Sequence, residues 1–360
     1  MTDFLVIGGG IAGLSAGARL SALGNVTVLE REPALGYHAS GRSAALYEET
    51  YGLPSTVALN RASKSFFLQD NAALVTPRGL LLVATADHAD RFAHDLTTME
   101  MTPLTIPQAQ DLLPILNPRR VTHAAYHAAA WDIDTDALLQ QFARQIRANG
   151  GKVMTSQEVT SIHRTDNGWT ATTPAGDLTA PMLINAAGAW ADHIAEMARL
   201  PPLGLTPLRR SMARIPAPDG YDTRTWPMTF GAGETWYMKP DAGALIVSPA
   251  EEDPSHPHDA WADDFVLAEG LARYEDHITT PVTRLIGNWA GLRTFAPDRQ
   301  LVLGHDPLDP TFVWSAGQGG YGFQTSPAAS QLLADLVGGC APYIDPATVA
   351  HLSPARFRQM

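Results

Sequence analysis

Chemistry enters this chain with three glycines. Gly8, Gly10 and Gly13 are spaced G-x-G-x-x-G in GGGIAGLSAG. Gly8 permits a tight turn, Gly10 lets the backbone approach a pyrophosphate, and Gly13 lets a helix pack closely on a strand. An acid follows, Glu30, about twenty residues on, where a carboxylate can hold ribose hydroxyls. The pattern reads as a dinucleotide site, and the acid favours a free ribose, as in NAD or the adenosine half of FAD, over NADP. A second glycine-rich run, AGQGGYGFQTS at residues 316–326, lies at the far end of the chain. Two such loops suit one long ligand gripped at both ends. Arg293, in WAGLRTF, brings a planar, permanently charged fork suited to bidentate pairing with a carboxylate or to a structural salt bridge.

The elements that must position these residues follow from local pattern. Leu5, Val6 and Ile7 form an apolar strand, a small-residue helix runs to about Leu23, and Val26 to Leu29 form the next strand. The helix N-terminus then presents free amides to phosphate. A nicotinamide enzyme usually continues into another βα unit here. REPALGYHASGRSAALYEETYG instead carries small residues around Arg42 and Ser43, which suits an extended segment lying along a ligand. LINAAGAW reads as a strand ending in small residues before a helix near Ala191, EVTSI reads as strand-like, and a helix is expected over Ser326 to Leu336.

The whole chain excludes several classes. Its 360 residues can bury a sizeable core, and 45% apolar with 17% charged residues is ordinary for a folded enzyme. A net charge of −12 disfavours nucleic acid and anionic membrane surfaces as main partners. No apolar run is long enough to span a membrane, and the interrupted N-terminal run lacks the positive start of a signal peptide. The single cysteine, Cys340, leaves no internal disulfide, which fits a reducing, cytoplasmic setting; in GGCAP it reads as a buried small residue. No spacing of His, Cys or carboxylates suggests a metal. His38 and His127 fall in no triad-like pattern.

The order of these segments resembles the D-amino acid oxidase superfamily of flavoproteins, which includes glycine and sarcosine oxidases. GYHASGRSAA, DIDTDALL, NAAGAW, RRS, YMKPDAG, WAGLRTF and QGGYGFQTS carry the resemblance along nearly the whole chain, and within the superfamily they are most similar to the bacterial D-arginine dehydrogenases. The resemblance implies non-covalent FAD, since Cys340 lies beyond the glycine loop. It implies a cofactor set of Gly8, Gly10, Ile11, Ala12, Gly13, Glu30, Arg31, Arg42, Ser43, Ala44, Ala45, Val159, Ala187, Gly188, Gly319, Gly320, Tyr321, Gly322 and Gln324. Arg293 becomes the carboxylate anchor, Arg210 a second substrate-side arginine, and Tyr51 and Tyr237 two tyrosines covering the substrate; Arg209 is left to surface pairing. The implied reaction is oxidation of a D-amino acid to a 2-oxo acid and ammonia, with oxygen or a quinone-linked compound as electron acceptor. Other readings are an enzyme for secondary amino acids, or a flavoprotein subunit of a larger complex.

The chain departs from the arginine enzymes where the substrate side chain would lie. Leu80 stands at the position of their guanidinium-pairing glutamate, Leu46 at that of a histidine, Glu48 at that of a threonine, and Phe230 at that of a smaller aliphatic residue. With Gly320 these line the expected pocket. An unpaired guanidinium is costly to bury, so an apolar or moderate side chain is expected, with Glu48 as the opposing feature. The expected architecture is α/β: a Rossmann-like FAD-binding domain of the glutathione-reductase type from residues 1–75, 138–200 and 296–360. An α+β substrate domain with an antiparallel sheet is inserted as residues 76–137 and 201–295.

Overall fold

The structure is a computed structural model that describes residues 2–358. Its first sheet has six strands in the order Val302–His305, Phe312–Ala316, Met182–Asn185, Phe4–Ile7, Val26–Leu29, Lys152–Met154. All neighbours are parallel except the antiparallel pair at the Val302–His305 edge. Phe4–Ile7 and Val26–Leu29 are buried throughout, as strands covered on both faces must be. Helix Ile11–Leu20 packs against both Thr135–Ala148 and Gly322–Gly338, and all three share one apolar cluster with the strands. The other face carries a three-stranded antiparallel sheet, Ser161–Thr165, Gly168–Thr173 and Gly176–Ala180, and helix Ala191–Met197. The chain thus builds a doubly covered sheet whose strands point their carboxyl ends at the first glycine loop.

A second, nine-stranded sheet is mostly antiparallel. Its path runs Asp253–Pro254, Thr206–Pro216, Ala244–Ser248, Tyr237–Asp241, Met228–Gly231, Leu80–Thr85, Val121–His127, Thr102–Leu104, with Gly287–Phe295 paired along Thr206–Pro216. Met228–Gly231 and Leu80–Thr85 run parallel. Leu208 faces Arg293 in register, which fixes the arginine near the end of a long, well-paired strand.

Three local readings need correction. The last long helix begins at Gly322, not Ser326, so the glycine loop leads directly into its first turn. Pro327 lies inside that helix and cannot donate to the Phe323 carbonyl; the Ser326 hydroxyl does so instead at 2.9 Å. Val159 sits just before strand Ser161–Thr165 and not within it, and Cys340 is exposed, not buried.

Candidate active site

The two sheets enclose a cleft of three adjoining chambers. The first, about 300 Å³, lies at the carboxyl ends of Phe4–Ile7 and Val26–Leu29, between Gly8, Gly10, Glu30, Arg31, Val159, Ala187, Trp190 and the loop bearing Ala260. The second, about 140 Å³, is walled by Ile11, Ala12, Ser43, Gly188, Arg210, Thr294, Gly319 and Gly322. The third, about 90 Å³, is lined by Ala44, Leu46, Glu48, Tyr51, Leu80, Met99, Met228, Phe230, Glu234, Tyr237 and Arg293. Gly10, Arg42 and Gly188 border the first two chambers. Ser43, Ala45, Leu46, Arg210, Arg293, Gly320 and Gln324 border the last two.

In the first chamber, glycine is demanded by close approach. Gly8 has φ +113°, and a β-carbon there would lie 2.3 Å from the Ala186 carbonyl oxygen; one at Gly13 would lie 1.9 Å from that of Gly8. A β-carbon at Gly10 would meet Ser40 Oγ alone, at 3.1 Å, so its outer side faces the cleft. Helix Ile11–Leu20 has no side-chain cap; the Ile11 amide donates to Ser40 Oγ at 3.0 Å. Glu30 is buried, and its carboxylate accepts the Gly9 amide at 2.7 Å and the Glu32 amide at 2.9 Å. Burial raises its pKa, and the two amides oppose the rise.

The second and third chambers hold donors that the protein leaves open. Arg210 is 3% exposed; Nη2 reaches Glu252 at 3.3 Å, while Nε and Nη1 have no partner. Gln324, 3% exposed, accepts the Glu48 amide at 3.0 Å through Oε1 and leaves Nε2 unbonded. The Thr294 hydroxyl is likewise buried and unpaired. Buried polar groups are nearly always satisfied, so this cluster marks the place of a polar ligand.

Arg293 makes no salt bridge or hydrogen bond among the described residues, and it faces Tyr51, Tyr237 and Gly320 across the third chamber. Burial alone would lower its pKa, but Tyr237, Tyr51, Glu234 and Tyr321 together raise it, so it stays charged. A β-carbon at Gly320 would come within 2.9 Å of Nη1, which leaves glycine as the residue that clears space for the fork. The Tyr237 hydroxyl donates to Met212 Sδ at 3.3 Å, a weak acceptor easily exchanged for a carboxylate. Burial, and then Glu234, raise the Tyr51 pKa, so its phenol stays protonated.

Of the residues named from sequence, Gly13 and Tyr321 do not line a chamber. Gly13 packs the helix against the loop, and the Tyr321 ring leans on Tyr51, with centroids 5.2 Å apart. Arg42 lines the cleft with its stem, but its fork is spent on the Ala260 and Ala290 carbonyls, each at 2.8 Å, and on Asp259. Arg209 pairs with Asp253 at 2.8 Å. Sequence reading missed Met99, Met228 and Glu234. Met228 stands two residues before Phe230 on one strand, so strand alternation could have found it. Glu234 lies in the turn between paired strands at φ +52°, and Met99 closes a helix; neither carries a local signal.

The comparisons agree with this geometry. Residues 3–336 match the family described as DAO, FAD dependent oxidoreductase. The chain belongs to that family. It is 25% identical to glycine oxidase of Pseudomonas putida, over 96% of this chain and 97% of that one. It is 24% identical to human mitochondrial dimethylglycine dehydrogenase, over 99% of this chain but 44% of that longer protein. Among solved structures it resembles L-proline dehydrogenase from P. horikoshii, with TM-score 0.85, 21% identity and coverage of 99% and 98% of the two chains. Glycine oxidase from Geobacillus kaustophilus gives 0.84 and 22% identity, with 98% of each chain covered. The protein is therefore an FAD-dependent oxidoreductase, and the glycine-walled first chamber and the open donors of the second fit that cofactor.

Proposed function

We propose that this enzyme oxidises D-amino acids with apolar or moderate side chains to imino acids, which water hydrolyses to 2-oxo acids and ammonia. One observation carries the proposal: the unpaired Arg293 fork opens, beside two tyrosines, into a small chamber lined by Leu46, Leu80, Met99, Met228 and Phe230 together with Glu48 and Glu234, adjoining the cluster of unpaired donors. In this reading Gly8, Gly10, Glu30, Val159 and Ala187 hold the adenosine and pyrophosphate half of FAD, and Ser43, Gly319, Gly320 and Gln324 meet its ring. Bound there, FAD would supply the acceptor for the substrate α-hydrogen as hydride. Arg293 grips the carboxylate with both prongs, and Tyr237 and Tyr51 add hydroxyl donors. Fixing the carboxylate aims the Cα–H toward the second chamber, which is the orientation effect the reaction needs. Arg210, whose Nε and Nη1 have no partner, lines both the second and the third chamber. Leu46, Leu80, Met99, Met228 and Phe230 surround the side chain and exclude water. The proposal keeps the carboxylate end of the D-arginine dehydrogenases and replaces the side-chain end.

A secondary amino acid, such as an N-methyl amino acid or a D-proline derivative, is the second reading; the likeness to dimethylglycine dehydrogenase, named for an N-methylated glycine, favours the N-methyl case. The test of both is anaerobic loss of flavin absorbance with a panel of D- and L-amino acids, sarcosine and D-proline. Bleaching by D-leucine or D-phenylalanine ahead of sarcosine and every L-amino acid supports the first reading. Bleaching by N-substituted substrates alone replaces it with the second.

A further inference from the structure

Glu48 poses a problem for an apolar chamber. Its side chain is 2% exposed and lines the third chamber, and a buried carboxylate is tolerable only when paired. The pairing comes from outside the chamber. Oε1 accepts the Thr50 amide at 3.0 Å and lies 2.8 Å from the Thr50 hydroxyl, whose single proton is shared with the Met99 carbonyl at 3.0 Å. Oε2 lies 2.8 Å from Nδ1 of His127, whose side chain is 23% exposed. His127 ends strand Val121–His127, opposite Leu80 in register, and stands behind Glu48 instead of lining the chamber.

We infer that His127 is a specificity-determining residue: by closing an ion pair on Glu48, it makes the chamber select uncharged side chains. The inference rests on the amino acid oxidation proposed above. The neighbouring acids do not compete for the histidine. Glu49 is held by Lys64 at 2.7 Å and Arg61 at 3.6 Å, and Glu100 by Arg61 at 3.5 Å. The hydrogen bond to Glu48 raises the His127 pKa and favours its charged form. A cationic substrate side chain that reaches Glu48, and not the chamber's other carboxylate Glu234, must then displace His127 or share its carboxylate. An anionic one meets Glu48 directly. A neutral one meets a pair whose charges cancel.

Reciprocal variants test this. The readout is kcat/KM for D-lysine, D-glutamate and D-leucine, with bound flavin measured in each preparation. His127→Gln should raise the D-lysine to D-leucine ratio on the order of tenfold by freeing Glu48. Glu48→Gln should raise the D-glutamate to D-leucine ratio similarly, by leaving His127 unbalanced. His127→Lys, which keeps the positive charge, should hold the D-lysine ratio at the wild-type value. A merely structural histidine would lower all three substrates together. Unchanged ratios in both Gln variants would overturn the inference; either variant alone decides it if the other does not fold. Failure of the underlying reading shows differently: D-lysine, D-glutamate and D-leucine would then all leave the wild-type flavin unbleached.

Discussion

Replacing Arg293 with lysine should weaken amino acid binding strongly and leave FAD in place. The structure sets the size of the effect. Arg293 has no partner among the described residues, so lysine breaks no internal salt bridge and leaves no orphaned carboxylate. At an effective dielectric near 20, two unit charges about 4 Å apart attract by roughly 4 kcal/mol, and lysine retains most of that term. What it loses is one prong of a two-pronged bond, worth about 1.5–3 kcal/mol for a charged hydrogen bond. Affinity should therefore fall roughly 10- to 150-fold. Anaerobic stopped-flow flavin reduction across a substrate titration gives the dissociation constant and the limiting rate separately. Looser anchoring should also slow the limiting rate, because the Cα–H is no longer aimed. Full flavin content with an unchanged dissociation constant and rate would refute the carboxylate-anchor role and leave Arg293 a structural residue.

Three further outcomes follow from the geometry. Gly13→Ala places a β-carbon 1.9 Å from the Gly8 carbonyl oxygen, so the purified protein should show a reduced ratio of flavin to protein absorbance or fail to fold. Ser326→Ala removes the hydroxyl that serves the Phe323 carbonyl beside Pro327; denaturant titration should show a loss of about 1–3 kcal/mol. For His127, a raised native pKa means that its stabilisation is fully present below its unfolded value of about 6.5 and is lost as pH rises through the native value. The melting-temperature difference between wild type and His127→Gln should accordingly be largest in mildly acidic buffer and shrink toward alkaline pH.

The nucleotide half of this protein was legible because its constraints are local. Gly8, Gly10, Gly13 and Glu30 belong to one strand–turn–helix–strand unit within thirty residues of chain, and the tightest approach that reaches outside it is that of Gly8 to the Ala186 carbonyl. The substrate half is built otherwise. Arg293 and Arg210 come from two paired strands, Tyr51 from a loop, Glu234 from a turn, and Met99 from a helix end, so no spacing in the chain announces that they meet. Resemblance to relatives supplied the arginines and tyrosines but could not supply residues peculiar to this chain. The Glu48 and His127 pair shows why. Read as a lone residue, Glu48 was an argument for a cationic substrate, and His127 was one histidine among twelve. Only the approach of the ends of strands Leu46–Glu48 and Val121–His127, which belong to different sheets, puts a positive group 2.8 Å from that carboxylate. The same carboxylate then argues for the opposite substrate, because a charge inside a protein is defined by its partner and the partner lies 79 residues away.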